Sequence, residues 1–216
     1  MTDFAGARRE MLEVQLARRG IRDFRVLDAM ARIPREMFVP IRYAHLAYDD
    51  APIPIGFDQT ISQPYITAVM CQALELQGHE IALDVGTGSG YHAAVLGALA
   101  ARVYSIERIP ELAEQAVENL RAAGLDRNIT VIVGDGSKGY PEAMSYDAIS
   151  VAAAAPEIPP SLIDQLAEGG RLVIPVGSRD EQDLLIATKS GGVVRKRRAT
   201  GCRFVPLVGE EGWRER

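Results

Sequence analysis

The chain has 216 residues, of which 47% are hydrophobic and 25% are charged, and it carries a net charge of −5 at pH 7. This composition excludes disordered and fibrous proteins, and the length is enough to bury a core without disulfide or metal cross-links. The acidic balance argues against general binding to nucleic-acid phosphates, which requires a basic face.

The first forty residues are predicted to form helices. Apolar residues recur there at three- and four-residue spacings on both sides of Gly20, and Pro34 and Pro40 end the second run. Prolines and a glycine between residues 51 and 64 forbid a regular helix, so we expect an ordered loop or short strands. Pro64 then suits the first turn of a further helix.

Strands and helices alternate after Gly78. Strands are expected over residues 81–85, 102–106, 129–133, 147–152 and 171–175, and helices over residues 91–100, 110–123 and 159–166. This alternation is typical of right-handed crossovers and of a parallel sheet covered on both faces. The segment from Asp183 onward has few helix signals and is expected to add antiparallel strands at the sheet edge.

These elements predict an α/β fold. It is a doubly wound, mostly parallel, Rossmann-like sheet with an N-terminal helical extension and antiparallel edge strands at the C-terminal end. We expect residues 1–216 to form one domain. Within it, residues 1–77 would be a helical and loop extension that contributes the substrate side and a lid, residues 78–208 the ligand-binding core, and residues 209–216 a tail.

A glycine-rich loop follows the first strand of the core. Gly86, Gly88 and Gly90 stand where such folds bind ligands, outside the carboxyl ends of the strands. Glycines there allow a tight turn and a close approach of the ligand to the backbone. The last position of the dinucleotide fingerprint G-x-G-x-x-G is Tyr91, and the chain has no Walker sequence G-x-x-x-x-G-K-[ST].

Acidic residues stand at the ends of three successive core strands: Asp84, Glu107 and Asp135. Asp84 would repel a pyrophosphate in the glycine loop and attract a cationic ammonium and sulfonium. Glu107 stands where an acid accepts hydrogen bonds from a ribose diol, and Asp135 could hold an adenine amino group. Each acid alone could instead cap a following helix. Together at one sheet edge they indicate a phosphate-free, cationic adenosyl ligand, S-adenosylmethionine.

Longer segments carry a family resemblance that runs from about Glu36 to Val208. They are Gln59-Thr-Ile-Ser-Gln-Pro64, Leu83-Asp-Val-Gly-Thr-Gly-Ser-Gly-Tyr91, Ser105-Ile-Glu-Arg108, Gly134-Asp-Gly136, Ala154-Ala-Pro-Glu-Ile-Pro159, Glu168-Gly-Gly-Arg-Leu-Val-Ile-Pro-Val-Gly177 and Arg203-Phe-Val-Pro-Leu207. On these segments the chain resembles the protein-L-isoaspartate O-methyltransferase family. The glycine loop is common to many methyltransferases, whereas T-I-S-Q-P and R-F-V-P-L single out this family.

The resemblance implies an S-adenosylmethionine-dependent fold and a repair enzyme. Such an enzyme moves a methyl group to the free α-carboxylate of L-isoaspartyl residues in damaged proteins and peptides, giving a methyl ester and S-adenosylhomocysteine. The resemblance implies a catalytic role for Ser62, and substrate contacts from Ser62, Val205, Pro206 and Leu207. It assigns cofactor binding to Thr60, Ile61, Ser62, Asp84, Gly86, Thr87, Gly88, Glu107, Arg108, Asp135 and Gly136.

The chemistry of that reaction needs neither a metal nor a catalytic triad. A carboxylate is already ionised at neutral pH, so it needs alignment and desolvation rather than a general base. The three histidines and two cysteines form no cluster pattern in the sequence. Ser62 could orient the accepting carboxylate as a hydrogen-bond donor, or it could be the N-cap of the helix that Pro64 begins, and the two roles could coexist.

Two other functions stay open from the sequence. The same fold could methylate a small molecule or RNA, although RNA would call for a basic cleft flanked by aromatic residues. It could also be a catalytically silent binding module. Arg195-Lys-Arg-Arg198 is interpreted as a solvated edge strand rather than a nucleic-acid patch. The alanine run at residues 152–155 leaves a substrate contact open, and His92 is assigned no role.

Partners and location follow from the same observations. We expect isoaspartyl proteins and peptides as substrates, no nucleic-acid or membrane partner, and a monomer. The sequence has two distant cysteines, no basic and apolar N-terminal signal, and no apolar run of the roughly 18 residues that a membrane helix needs. We therefore expect a cytoplasmic protein.

Overall fold

The computed structural model describes residues 2–141 and 145–215. The N-terminal extension is helical, as predicted. Its two α-helices begin after Asp3 and Asp23, whose carboxylates accept hydrogen bonds from first-turn amides; they are α1 (Phe4–Glu10) and α2 (Phe24–Arg32). A π-helix prolongs α1 at Met11–Leu16, and short 3₁₀ helices occupy Ala17–Arg19, Arg35–Phe38 and Ile41–Leu46.

The proline-rich segment forms a hairpin, which confirms the expectation of short strands. β1 (Ile53–Gly56) and β2 (Gln59–Ile61) pair antiparallel. The residues between them, Phe57 and Asp58, have φ angles of 52° and 56°. Positive φ at both central residues is typical of the two-residue turns whose twist matches that of a hairpin.

Helix α3 (Pro64–Leu74) follows the hairpin directly. Because proline is its first helical residue, the N-cap position falls on Gln63, and no side chain makes a capping hydrogen bond. The interpretation of Ser62 as the N-cap is therefore wrong. Its hydroxyl is not used to cap this helix.

The core alternates strands and helices as predicted. Its elements are β3 (Ile81–Val85), α4 (Tyr91–Leu99), β4 (Arg102–Glu107), α5 (Pro110–Ala122), β5 (Ile129–Val133), β6 (Tyr146–Val151), α6 (Pro160–Asp164), β7 (Leu166–Gly177), β8 (Gln182–Ser190) and β9 (Val193–Cys202). β7 starts earlier than the sequence predicts and α6 ends earlier, because Leu166 pairs with Tyr146 ahead of a register shift between Tyr146 and Ala148.

The seven core strands form one sheet in the order β5-β4-β3-β6-β7-β8-β9. Pairing is parallel from β5 to β7 and antiparallel between β7, β8 and β9. The mostly parallel sheet with antiparallel edge strands is thus confirmed. The chain order reverses around β3, whose neighbours are β4 and β6, and ligands bind at such switch points in open α/β sheets.

Two hydrophobic clusters cover the sheet. The larger one unites the N-terminal extension, α3 and α4 with the sheet, through buried residues such as Met30, Phe38, Met70 and Leu96. The second includes Ile149, Leu162 and Ile174. Of the helices in the described ranges, none combines the length and the apolar character that crossing a bilayer requires.

Candidate active site

The backbone of the glycine loop after β3 has a left-handed conformation that favours glycine. Gly86, Gly88 and Gly90 all have positive φ, of 93°, 53° and 89°. The amides of Gly86 and Thr87 donate to the carbonyl of Ile106 at 2.8 and 3.2 Å, which ties the loop to the end of β4. A Cβ on Gly88 would come within 3.3 Å of Ile55 in β1. The loop is therefore closely covered by the hairpin.

Glu107 holds the glycine loop and the start of the next helix together. Its Oε2 accepts a hydrogen bond from the amide of Gly88 at 2.9 Å, and its Oε1 accepts from Ile109 at 3.1 Å. The side chain is almost fully buried but still borders the crevice above the loop. A carboxylate oxygen has two lone pairs, so each oxygen can accept one further hydrogen bond from a ligand.

Asp84 lies beneath the glycine loop and is fully buried. Its Oδ2 accepts a hydrogen bond of 2.7 Å from Ser105, whose hydroxyl lies 2.6 Å from that of Thr87. Its Oδ1 is buried and has no hydrogen-bond partner among the described residues. Burial, with a smaller contribution from the charge of Glu107, raises the pKa of Asp84 to about 7. An unpaired buried carboxylate oxygen of this kind is compatible with a cationic ligand group nearby.

The crevice above the loop gathers most of the predicted site. Nine predicted residues line it: Thr60, Gly86, Gly88, Glu107, Arg108, Gly136, Val205, Pro206 and Leu207. Residues to which no binding role was assigned from the sequence complete the lining, namely Gln59, Val85, Ile106, Ala152, Ala153 and Val208. Of these, Ala152 and Ala153 belong to the alanine run whose substrate contact was left open. Within the described part of the chain, Arg108 is the single cationic lining residue, and it pairs with Glu215 at 3.0 Å. The acidic and backbone groups of the lining thus fit a phosphate-free cofactor.

Of the three strand-end acids, Glu107 lines the crevice, whereas Asp84 and Asp135 do not. The Oδ1 of Asp135 accepts from the amide and hydroxyl of Ser137, and its Oδ2 accepts from the amide of Glu210 at 2.8 Å. Three hydrogen bonds leave room for one more on Oδ2. The carboxylate therefore ties the C-terminal segment to the end of β5, and its contact with an adenine amino group stays a prediction.

A second, larger cleft adjoins the crevice. It encloses about 570 Å³, and four lining residues are common to both: Thr60, Ala152, Val205 and Pro206. Ser62 lines this cleft, and its hydroxyl makes no hydrogen bond within the described part of the chain. Ile61 is buried in the core and, with Ser62 and Thr87, borders a small cavity against the glycine loop.

The C-terminal R-F-V-P-L segment is fastened to the end of β6 by its backbone. Ala154 donates to the carbonyl of Val205 at 2.8 Å and accepts from the amide of Leu207 at 2.7 Å. The Nε1 of Trp213 also donates to the Ala154 carbonyl, at 3.0 Å. The alanine run thus supplies the backbone that holds this wall of the cleft.

Arg35 is a functional candidate that sequence reasoning missed. Its guanidinium is fully buried, donates to the carbonyls of Ala47 at 2.6 Å and Ser62 at 2.7 Å, and lies 4.6 Å from the ring centre of Tyr91. It therefore joins the extension, the Ser62 segment and the start of α4. No local pattern signals this role, because the partners come from distant parts of the chain.

His92, which had no assigned role, is buried in α4. Its Nε2 lies 3.0 Å from the hydroxyl of Ser150 and 3.9 Å from the sulfur of Cys71. Burial lowers the pKa of His92 to about 4, so the ring is neutral at physiological pH. Burial also raises the pKa of the Cys71 thiol. These groups form a neutral polar layer between the sheet and its helices.

Comparison with known proteins connects this geometry to a family. The sequence model of the family described as protein-L-isoaspartate(D-aspartate) O-methyltransferase matches residues 7–212. The chain belongs to this family. A protein-L-isoaspartate O-methyltransferase of Methanoculleus marisnigri is 55% identical over 206 residues, which cover 95% of this chain and 93% of that protein. One from Koribacter versatilis is 53% identical, with 99% and 96% covered.

Solved structures of proteins with the same description have a similar fold. A protein-L-isoaspartate O-methyltransferase structure superposes with a TM-score of 0.83 at 29% identity, covering 95% of this chain and 67% of that chain. A Plasmodium falciparum protein described as a beta-aspartate methyltransferase, in complex with S-adenosyl-L-homocysteine, gives a TM-score of 0.80 at 30% identity, with 92% and 97% covered. Thr60 of the T-I-S-Q-P segment and Val205 and Pro206 of the R-F-V-P-L segment line both the crevice and the cleft.

Proposed function

We propose that this family member methylates the free α-carboxylate of L-isoaspartyl residues in damaged proteins and peptides. S-adenosylmethionine is the methyl donor, and S-adenosylhomocysteine and a methyl ester are the products. The observation that carries the proposal is the junction of the crevice and the cleft, because four residues line both. A donor held in the crevice and an acceptor held in the cleft can meet only there.

The crevice residues hold the cofactor in this proposal. Gly86 and Gly88 allow close approach to the backbone, and Glu107 accepts from hydroxyl groups. The buried carboxylate of Asp84, which does not line the crevice, attracts the ammonium group through its charge and its unpaired Oδ1. When bound, S-adenosylmethionine supplies an electrophilic methyl group on a sulfonium. The remaining assignments follow the family resemblance: Thr60, Ile61, Ser62, Thr87, Arg108, Asp135 and Gly136 contribute to the same binding.

The cleft residues align the carboxylate. Ser62 donates a hydrogen bond from its free hydroxyl to one carboxylate oxygen, which leaves the other oxygen directed at the methyl group. Val205, Pro206 and Leu207 exclude water from the acceptor, and removing water strengthens the interaction of a carboxylate with a cation. No proton has to move, because the carboxylate is ionised before it binds.

The chain is further proposed to act alone. The extension and the C-terminal segment both line the site, which supports treating residues 1–216 as a single methyltransferase domain. We propose a monomer in the cytoplasm without a nucleic-acid partner, as the acidic net charge of −5 favours. Its macromolecular partners are the isoaspartyl proteins and peptides that it methylates.

A pair of peptides tests the proposed function. The two carry the same sequence, one with L-isoaspartate and one with L-aspartate, and methyl transfer from labelled S-adenosylmethionine is measured on each. We expect label on the isoaspartyl peptide alone, and the ester should be lost in mild base. Equal labelling of both peptides, or none on the isoaspartyl peptide, would reject the assignment. Calorimetry with S-adenosylhomocysteine on the same preparation shows whether the cofactor site is intact.

A further inference from the structure

The charged residues of the substrate cleft all have the same sign. Of its eleven lining residues, two are charged, and both are arginines, Arg179 and Arg203; the others are Pro52, Thr60, Ser62, Gln63, Ile66, Ala152, Phe204, Val205 and Pro206. Among the described residues, no aspartate or glutamate lines this cleft, although the chain as a whole carries a net charge of −5. The cleft is therefore cationic in an acidic protein, and its walls focus that field on a bound peptide.

Arg179 is held in place by an aromatic side chain. The carbon at the centre of its guanidinium lies 4.8 Å from the ring centre of Trp213, a cation–π arrangement. Trp213 is itself fixed by its hydrogen bond to Ala154. The Nη2 of Arg179 makes one long hydrogen bond, of 3.4 Å, to the carbonyl of Arg214. Among the described residues no carboxylate pairs with Arg179, so its charge is available to a ligand.

Arg203 stands at the start of the R-F-V-P-L segment. It is exposed and, in the described ranges, has no ion-pair partner. Its backbone is well anchored, because the amide of Phe204 donates to Oε1 of Gln182 at 2.9 Å and Val205 accepts from Ala154. A cation on an anchored backbone loses less conformational freedom when it binds than one on a mobile loop.

We propose that the cleft contains a second anionic subsite, formed by Arg179 and Arg203, which selects isoaspartyl peptides with an acidic side chain near the isoaspartate. The inference rests on the proposed function. An isoaspartyl residue offers one free carboxylate, and that group must remain available for methylation at Ser62. Two unpaired guanidiniums in the same cleft therefore have a different anionic partner, the side chain of a neighbouring aspartate or glutamate.

The product has a predictable consequence for binding. Methylation removes the charge of the isoaspartyl carboxylate, whereas the acidic neighbour keeps its charge. Acidic context should therefore raise affinity for both substrate and ester, and its effect should appear mainly in KM. Exposed ion pairs contribute modestly, so we expect about a three- to tenfold effect on kcat/KM.

A peptide series on the wild-type enzyme is the first test. The peptides share one isoaspartyl sequence with blocked termini and carry a single Glu, Gln or Lys at each of the three positions on either side. At least one Glu peptide should exceed its Gln counterpart by about three- to tenfold in kcat/KM, the Lys counterpart should be poorer than Gln, and about 0.5 M salt should remove most of the difference. Equal kcat/KM for Glu and Gln at every position would overturn the subsite. Methylation of the neutral peptide by itself would still uphold the proposed function.

Variants of the two arginines then test whether they cause the preference for acidic peptides. Arg179→Gln and Arg203→Gln, alone and together, should reduce the Glu-to-Gln ratio to within about twofold of unity. The matched control is Arg195→Gln, which removes the same charge from an exposed position of β9 opposite Thr188, outside the cleft. A ratio that persists in the double variant, or that falls equally in Arg195→Gln, would overturn the assignment to these two arginines. Thermal unfolding and S-adenosylhomocysteine affinity of each variant verify its fold.

Discussion

The buried guanidinium of Arg35 donates a hydrogen bond of 2.7 Å to the backbone carbonyl of Ser62. Its Nε donates to the carbonyl of Ala47 at 2.6 Å, and its Nη1 is buried without a hydrogen-bond partner among the described residues. Burial lowers the pKa of this group, with the nearby Tyr91 acting in the opposite direction. Ser62 lines the cleft and Arg35 does not, so the arginine holds the Ser62 backbone without touching the cleft. This makes it a positioning residue in the proposed reaction.

Arg35→Lys should lower both stability and turnover. A lysine can reach one carbonyl but cannot reproduce the planar fork that serves two, and an unsatisfied buried carbonyl costs about 1–3 kcal/mol. We expect kcat for an isoaspartyl peptide to fall about tenfold or more, because small misplacements of a reacting group are costly. S-adenosylhomocysteine affinity should change much less. Steady-state kinetics, calorimetry and thermal unfolding measure the three quantities.

Arg8→Lys is the matched control for that variant. Arg8 also belongs to the extension and also makes several hydrogen bonds, to Tyr48 at 2.7 Å, to the carbonyl of Ala31 at 3.1 Å and to Glu36. None of these partners borders the cleft. The Arg8→Lys variant should therefore lose stability while keeping the kcat of the wild-type enzyme. Equal losses of kcat in the two variants would mean that Arg35 acts through general stability alone.

Ser62→Ala should impair turnover more than cofactor binding. A hydrogen bond to a charged acceptor is worth about 1.5–3 kcal/mol, so removing the donor should lower kcat by about 10- to 100-fold. Ser62→Thr keeps a hydroxyl and should recover much of that loss. If alanine reduced S-adenosylhomocysteine affinity as strongly as kcat, the orienting role would be rejected in favour of cofactor binding. Calorimetry and peptide methylation on the same preparations separate the two.

Cofactor affinity should rise with pH through the titration of Asp84. The pKa of Asp84 is about 7, raised mainly by burial, and a cationic ammonium favours the ionised form. Below that pKa the carboxyl must lose a proton before binding, so affinity should fall by up to about tenfold per pH unit. His92, with its pKa lowered to about 4, stays neutral over this window. Calorimetry in two buffers of different ionisation enthalpy should show proton release near pH 6.

Asp84→Asn is the control for that pH dependence. Asparagine cannot ionise, so S-adenosylhomocysteine should bind more weakly and with little change between about pH 6 and pH 8. A pH dependence that survives in the asparagine variant would assign the titration to another group.

Gly88→Ala should weaken cofactor binding beyond its effect on folding. Gly88 has a φ of 53°, and its Cβ would approach Ile55 to 3.3 Å at the edge of the crevice. A left-handed backbone costs alanine about 1–2 kcal/mol. Gly124 has a φ of 69° and open space around the added Cβ, so Gly124→Ala should lose similar stability and keep its cofactor affinity. We expect about a tenfold loss of affinity for Gly88→Ala alone, measured by calorimetry; equal affinities in the two variants would contradict it.

The sequence by itself determined the alternation of strands and helices, the glycine loop and the family. Those properties depend on local periodicity and on residues that are close in the chain, such as Asp84, Gly86 and Gly88. It also identified both segments that line the junction of crevice and cleft, through Ser62 and Val205. The sequence suggested that the three strand-end acids would all face the cofactor in the same way. In the structure Glu107 borders the crevice, Asp84 lies beneath the loop and Asp135 holds the C-terminal segment.

Tertiary structure alone decided what those polar side chains contact. The two carbonyls bound by Arg35 lie 12 and 27 residues away, and the hydroxyl that binds Asp84 comes from 21 residues away on the next strand. No spacing rule predicts such partners, because they meet only when the sheet and the extension have packed. The contact between Arg179 and Trp213 likewise brings together two segments that are distant in the chain. A buried or unpaired charge is a property of the assembled fold, since its energy depends on what surrounds it rather than on its neighbours in sequence.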